Sequence, residues 1–430
     1  MLYFLYDLFF CIAFIGVAPW ILWRRWMFKQ FKGRFAAYFT LSLPAVKVKK
    51  GKVFLIYAVS MGETKIAATL FQQMKGRYPE DQFYIVSRSE TGHAEAKKSI
   101  SAADGHFFLP LDFSWTMKRF FKCIQPDVVI LVESDFWLNF LRIPKKMGSL
   151  VFLINGKVSS RSFNRLKKVS FFSKALFSFF DLMCLQNELF KERFIKLGVD
   201  PSKAFVTGNL KFDIPFIESN SNSLKLELGI EPQDQVLVLA STHPKEEEEI
   251  LKALESLWKK LPFLKIIIVP RHPERFQDVK ELLLKKPYSM IAYSEIQKKT
   301  GKERVFLIDA MGLLMSIYQV SNVAILGGSF FSHLKGHNIF EPIQAGIPVL
   351  FGPYMSDQKD LVEHILSSHA GIQTSLQGIF SEVERLFLDS SYKDGMRKQG
   401  KHLLLQVEGG FSRASEAIFK KISLSAEKHL

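Results

Sequence analysis

Acidic residues are almost missing from the first part of this chain. Before Glu63 the only one is Asp7, while the same stretch carries nine basic residues: Arg24, Arg25, Lys29, Lys32, Arg34, Lys47, Lys49, Lys50 and Lys52. Over all 430 residues, Lys plus Arg number 58 against 42 Asp plus Glu, a formal net charge of +16. That balance implies an anionic partner: a membrane surface, an acidic substrate or nucleic acid. Cysteine is scarce too. Cys11, Cys123 and Cys184 are odd in number and far apart, which excludes a disulfide framework and a thiolate metal site and fits a reducing cytoplasm. No Asp-x-Asp pair follows an apolar run, and no His/Cys cluster has ligand spacing, so no metal is expected. His243, His272 and His337 are scattered and read as hydrogen-bonding neighbours of a site. No short repeat and no low-complexity tract appears. The basic–aromatic stripe of single-strand binders is also missing, which argues against nucleic acid.

What is present begins at the N-terminus. Residues 8–23 are apolar and uncharged. A full membrane crossing needs ~20 apolar residues, reached here if the run extends back through residues 1–6 with Asp7 near the interface. Trp20, Trp23 and Trp26 stand where an aromatic belt would lie, and the basic residues after them put the rest of the chain on the cytoplasmic side. Positive charges after the run, not before it, argue against a cleaved signal peptide. Pro19 and the marginal length leave open a helix lying in the interface plane, and a buried core helix is a third reading. A second patch has Arg161, Arg165, Lys167 and Lys168 ahead of Phe171, Phe172, Phe177, Phe179 and Phe180, a composition that suits either an anionic lipid surface or an ordinary core helix with a solvated face.

In the body, apolar runs of strand length alternate with amphipathic helical stretches. The runs are 53–59, 83–86, 128–132, 151–154 and 182–185, then 236–240, 264–269, 305–308, 323–326 and 349–351. Their continuous apolar character predicts strands buried on both faces of parallel sheets. The polar stretch 217–223 reads as a linker. The expectation is an α/β chain: a membrane anchor at 1–26, a Rossmann-like domain at 27–216 and a second Rossmann-like domain at 217–430. The two doubly wound domains would face a cleft, and the last helix would be free to pack back on the first.

Polar residues cluster just after these strands, where open α/β sheets bind ligands. The clusters are Ser60 to Glu63, Glu133, Ser241-Thr242-His243, Pro270-Arg271-His272, Asp309 to Gly312, and Gly327-Gly328-Ser329. The last precedes Gly336-His337-Asn338-Ile339-Phe340-Glu341-Pro342, which reads as a glycine turn followed by a helix carrying an acid. Glycines admit phosphate close to the backbone, helix N–H groups favour it, and Glu341 can accept from ribose hydroxyls.

The motifs Ala58-Val59-Ser60-Met61-Gly62-Glu63-Thr64, Glu133-Ser134-Asp135-Phe136-Trp137, Ser159-Ser160-Arg161-Ser162 and Thr207-Gly208-Asn209-Leu210-Lys211-Phe212-Asp213 stand in the first half. In the second half stand Ala240-Ser241-Thr242-His243, Val269-Pro270-Arg271-His272-Pro273-Glu274-Arg275-Phe276, Met311-Gly312, and the stretch from Gly336 to Pro348. In order and spacing, over nearly the whole chain, they resemble the membrane-associated Kdo transferases of Gram-negative bacteria. That family moves 3-deoxy-D-manno-octulosonic acid (Kdo) from its CMP ester to a lipid A precursor. The resemblance implies an inverting, metal-independent glycosyltransferase of the B type. Glu63 would be the general base, with Glu133 and Lys211 stabilising the transition state. CMP would lie against Pro270, Arg271, Met311, Gly312, Leu313, Asn338, Ile339, Phe340 and Glu341. It also implies CMP-Kdo, a phosphorylated acyl-disaccharide and an anionic membrane surface as partners, at the cytoplasmic face of the inner membrane. Gly62 would leave room for a bulky acceptor.

Departures from the pattern fall at Tyr57, Asp135, Leu138 and Leu313, where the family commonly has His, Glu, Pro and Glu. Two other readings of the residues stand beside this one: a B-type glycosyltransferase or epimerase using another nucleotide sugar, and a catalytically dead, membrane-tethered protein that binds anionic lipid. At the level of single residues, Glu63 can also serve as a first-turn helix cap, and Glu133 with Lys211 as a structural ion pair.

Overall fold

The computed structural model describes residues 2–28, 35–42, 45–214 and 221–427. Its contacts divide the chain into two units, Met1–Ile214 with Gly409–Leu430, and Pro215–Glu408. Residues 217–220 of the expected linker, and Lys29, Lys32 and Arg34, lie outside the described residues.

The first unit is built on seven parallel strands: β1 Val53–Ala58, β2 Gln82–Ser87, β3 Gly105–Phe108, β4 Val128–Val132, β5 Leu150–Gly156, β6 Leu182–Leu185 and β7 Ala204–Val206, in the order β3-β2-β1-β4-β5-β6-β7. β1, β2 and β4 are buried at every position. Successive side chains of β1 point to opposite faces. Leu55 and Tyr57 enter one core, while Phe54, Ile56 and Ala58 enter the other with Phe411, Ala414 and Ile418 of the C-terminal helix Gly410–Glu427.

The second unit repeats the plan with β8 Gln235–Thr242, β9 Leu264–Pro270, β10 Met290–Ala292, β11 Val305–Leu307, β12 Val323–Leu326, β13 Val349–Phe351 and β14 Ile372–Gln373, in the order β10-β11-β9-β8-β12-β13-β14, again all parallel. In each sheet the direction of winding reverses beside the first strand, between β1 and β4 and between β8 and β12. Those are the points where open α/β sheets hold ligands.

All ten expected strands form. The four that the apolar runs did not announce, β3, β7, β10 and β14, are the outermost strands of the two sheets. An edge strand has one unpaired side and is only partly covered, so it needs no continuous apolar run.

The N-terminal helix Leu2–Phe28 includes Pro19. Its segment Leu2–Trp20 is long and apolar enough to cross a membrane. It nevertheless rests one side on the first unit, where Tyr6 stacks on Phe172 and Phe10 meets Phe113. In the second basic–aromatic patch, Phe177 and Phe180 prove to be core residues and Phe171 is exposed.

Candidate active site

In the first unit the strand β1 runs into the helix Met61–Arg77 through Ser60. Ser60 adopts extended backbone, and its hydroxyl oxygen accepts from the Glu63 N–H (3.3 Å) while the hydroxyl donates to Glu63 Oε1 (2.9 Å). The Val59 N–H donates to Glu63 Oε2 (2.8 Å). This is a variant of the capping box, with the return hydrogen bond falling on the residue before the N-cap. Glu63 therefore does cap its helix, and capping also fixes the carboxylate at the carboxyl end of β1. Burial pushes the Glu63 carboxyl above the ordinary glutamate value, the Val59 N–H opposes this, and the charge of Glu133 pushes it further up. A half-buried carboxylate with a raised pKa is a better proton acceptor near neutral pH.

Glu133 follows β4 directly and holds φ at 67°, a left-handed value that a non-glycine residue adopts at a cost. Its side chain is buried, and two lysines converge on it: Lys211 Nζ is 2.5 Å from Oε1 and Lys157 Nζ is 2.7 Å from Oε2. Burial alone would raise its pKa, but Lys211 and Lys157 outweigh burial and hold it below the usual range. Asn155, also left-handed at φ 51°, donates to Glu133 Oε1 (3.3 Å) and accepts from the Leu210 N–H (2.9 Å), so the loop carrying Lys211 is tied to the end of β5. The Lys211 side chain then lies against the start of the Glu63 helix: its Cε stands 3.7 Å from where a Cβ on Gly62 would sit. Glu63, Glu133 and Lys211, 148 positions apart at the extremes of the sequence motifs, form one charged group at the switch point of the first sheet.

Other members of those motifs have structural work. Asp213 accepts from the N–H groups of Gly409 (3.0 Å) and Phe411 (2.7 Å) at the start of the C-terminal helix, and Arg413 of that helix donates back to the Thr207 carbonyl through Nε (3.1 Å) and Nη2 (2.9 Å). The departures Tyr57 and Asp135 meet each other: the Tyr57 hydroxyl donates to Asp135, which also accepts from Trp137 Nε1 (2.8 Å) and pairs with Arg88 (3.1 Å). Leu138 is buried at the start of the helix Leu138–Lys146. Lys157, which sequence reasoning missed, had the same signal as Glu133, a charged residue just past a central strand.

In the second unit the equivalent junction is organised differently. Glu246 opens the helix Glu246–Leu254 and is fully buried. Its Oε2 accepts from the N–H groups of His243 (3.0 Å) and Gly328 (2.7 Å), and its Oε1 from those of Ser329 (3.1 Å) and Phe330 (3.1 Å). The loop after β12 is thereby held to the end of β8. Glu247 takes Arg275 in a two-pronged pair (2.7 and 3.0 Å). The His243 and His337 rings share an Nε2–Nε2 hydrogen bond of 2.7 Å, and His337 covers Gly328, which holds φ at 70°. Burial, then the neighbouring His243 and Arg271, push the His337 imidazole down to about 4, so it is neutral at pH 7.

The residues expected to hold CMP lie on three segments of the second unit. Pro270 ends β9, and the half-buried Arg271 follows, its N–H donating to the Thr242 carbonyl (3.1 Å). Met311 and Gly312 are exposed, with open space where a Gly312 Cβ would point, and Leu313 caps the helix Leu314–Val320. Asn338 donates to Glu341 Oε1 (3.3 Å) and accepts from the Phe340 N–H (3.1 Å). The side chains of Ile339 and Phe340 are core, which leaves only their main chain for a ligand. The helix that carries Glu341, Phe340–Gln344, follows the glycine turn as expected but has only five residues and begins eleven positions past Ser329. At that length its dipole is weak, and the main-chain N–H groups and Arg271 are the stronger anion donors.

The sequence profile of the 3-deoxy-D-manno-octulosonic-acid transferase (kdotransferase) family matches residues 29–214. The chain is 32% identical over 425 residues to a 3-deoxy-D-manno-octulosonic acid transferase of Chlamydia trachomatis serovar A, covering 97% of each chain. It is 29% identical over 362 residues to the enzyme of the same name from Haemophilus influenzae, covering 83% of this chain and 84% of that one. Among solved structures, a UDP-N-acetylglucosamine 2-epimerase superimposes with a TM-score of 0.59 at 16% identity, over 88% of this chain and 97% of the other. At that identity the likeness shows the fold alone: two parallel-sheet α/β domains of the glycosyltransferase B type.

Proposed function

The chain belongs to the 3-deoxy-D-manno-octulosonic acid transferase family, and from that premise we propose that it transfers Kdo from CMP-Kdo to a hydroxyl of a phosphorylated acyl-disaccharide, the lipid A precursor lipid IVA. It is a glycosyltransferase of lipopolysaccharide biosynthesis. The observation that carries the finer reading is the convergence of Glu63, Glu133, Lys157 and Lys211 at one switch point.

A sugar hydroxyl is a poor nucleophile at neutral pH and needs a base within hydrogen-bond reach. Glu63 fits that task, because its carboxylate is oriented by Ser60 and Val59 and made more basic by burial. The acceptor O–H gives its proton to Glu63, the oxygen bonds to the anomeric carbon of Kdo, and the bond to the CMP phosphate breaks with inversion. Positive charge grows on the sugar ring and negative charge on the departing phosphate. The Glu133 carboxylate suits the first, and Lys211 suits the second or the carboxylate of Kdo itself. The second unit binds the CMP moiety through Pro270 and Arg271, Met311 to Leu313, and Asn338 to Glu341. Lysine, arginine and main-chain donors supply the needed charge, so the reaction is read as metal-independent. The protein works at the cytoplasmic face of the inner membrane, on an anionic surface that also presents its acceptor.

Mass spectrometry of lipid IVA after incubation with the protein and CMP-Kdo tests this. A mass increase of one or more Kdo residues, lost in Glu63→Gln, supports the reading. An unmodified acceptor with intact CMP binding overturns it.

A further inference from the structure

The N-terminal helix is fastened to the first unit by polar groups as well as rings. The Tyr6 hydroxyl donates to Asp112 Oδ2 (2.7 Å). Asp7, the one acid before Glu63, accepts from the side chain of Asn139 (2.8 Å) and the N–H of Ser114 (3.3 Å). Asn139 is fully buried, and its amide oxygen accepts from Arg142 (2.6 Å), whose guanidinium lies over the Tyr3 ring (4.5 Å). Phe10 meets the edge of Trp137 (6.0 Å), four residues from Glu133, and Phe14 meets Phe39 and Phe113 (5.6 Å each). Positions 3, 6, 7, 10 and 14 are one face of a helix.

Spanning and docking are incompatible on length. Tyr3 to Phe14 covers about 17 Å at 1.5 Å per residue. Beyond Phe14 only residues 15–23 precede the charges of Arg24 and Arg25, about 13 Å of helix against a hydrocarbon core of about 30 Å. A crossing must use the docked half. That would strip Asp7 and Tyr6 from their partners and leave the buried Asn139 and Asp112 exposed to the vacated face.

The outer face of the docked helix is apolar and open: Phe9 is 71% and Ile15 70% exposed. Two side chains of the body extend it. Trp115, exposed, stacks on Phe113, which Phe10 and Phe14 touch; Phe171, 67% exposed, adjoins Phe172, on which Tyr6 stacks. The helix Ser160–Lys168, just before Phe171, bears the exposed Arg161, Arg165, Lys167 and Lys168. Exposed apolar side chains on this helix and on the two parts of the chain packed beside it, with cations close in sequence to Phe171, fit one partner, the headgroup region and outer acyl layer of an anionic bilayer.

We propose that the N-terminal helix does not cross the membrane but stays docked on the first unit, and that it enters a single leaflet together with Trp115 and Phe171. The Trp137 contact places the Glu133 motif beside this embedded face, so a lipid-borne acceptor would reach the charged group from the leaflet. This inference rests on the membrane part of the reading above and is independent of its chemistry.

The test uses the full chain with an epitope tag ahead of Met1, added to sealed vesicles of phosphatidylethanolamine and phosphatidylglycerol. Docking predicts that an external protease removes the tag without lysing the vesicles, and that Phe171→Glu lowers vesicle binding about tenfold with unchanged thermal melting. A tag cleaved only after lysis, Phe171→Glu binding within about twofold of wild type, or no binding of the wild-type chain to anionic vesicles would each overturn it. Glu63→Gln separates the two readings, since it should lose transfer and keep both vesicle binding and tag exposure.

Discussion

Each unit places an acid where its first strand turns into a helix, and the two acids have opposite fates. Glu246, in the second unit, is fully buried and accepts four main-chain N–H groups. A carboxylate offers about four acceptor positions, so Glu246 is saturated and can only hold its loop. Glu63, in the first unit, accepts one N–H and one hydroxyl and is half-buried. Acceptor positions remain for a substrate. The same topology thus yields a scaffold for main-chain donors in one unit and, in the other, an acid with acceptor positions left open, as the proposed base requires. What separates them is how many N–H groups the neighbouring loop aims at the acid.

The largest test of this contrast exchanges charge for amide at both positions. Glu63→Gln should cut transfer by roughly 10²–10⁴-fold, the usual worth of a general base, with CMP affinity nearly unchanged by calorimetry. Glu246→Gln should do the reverse. It turns an amide N–H₂ toward N–H donors and leaves some unpaired, at about 1–3 kcal/mol each, so denaturant stability and CMP affinity fall together. Parallel loss of CMP affinity in both variants would erase the distinction. Next in size is Lys211→Met. Losing a preorganised cation should slow transfer by about 10²–10³-fold. Losing a hydrogen bond to the buried Glu133 should cost about 1.5–3 kcal/mol in urea unfolding, with Lys157 keeping the loss from being larger.

The glycines beside the two acids differ in the same sense. A Cβ on Gly328 would fall 2.5 Å from His337 Cδ2, at a φ of 70° that disfavours side chains. Gly328→Ala should therefore destabilise by about 1–3 kcal/mol. Gly62 sits in a helix, and a Cβ there would meet Lys211 Cε at an ordinary 3.7 Å. Gly62→Ala should stabilise by up to about 1 kcal/mol while raising the KM for the acceptor, which the methyl crowds. Destabilisation by Gly62→Ala would show that this glycine serves packing alone.

The central strands and the acids Glu63 and Glu133 were legible in the sequence because they follow rules of position, whereas Lys211 was marked only by the family resemblance. Strands buried on two faces must be continuously apolar, and ligands gather at strand ends. Less legible was what depends on distant pairing. Asp213 stands in a motif with Lys211 yet serves the C-terminal helix, nearly two hundred residues on. Glu246 is the first of four consecutive acids, with nothing local to single it out, and only the loop after β12 makes it a hub. Phe177 and Phe180 looked like Phe171 until packing buried them. Tyr57 and Asp135, read as separate departures, prove to be one hydrogen-bonded pair, so they alter the site together.

The smallest effect is a displacement, and it separates the units most finely. The acid limb of kcat/KM reports the base in the free enzyme. Burial, reinforced by Glu133, holds the Glu63 pKa above the ordinary value of 4.5, so the limb should lie above that pH. Lys211 lowers this pKa and Glu133 raises it. Removing the cation in Lys211→Met disfavours the ionised base, and the limb moves to higher pH. Removing the anion in Glu133→Gln favours ionisation, and the limb moves to lower pH. Glu246→Gln, acting in the other unit, should lower the plateau and leave the limb in place. Opposite displacements from the two first-unit variants would identify Glu63 as the titrating group even where the rates are small, because a group remote from both charges would answer to neither.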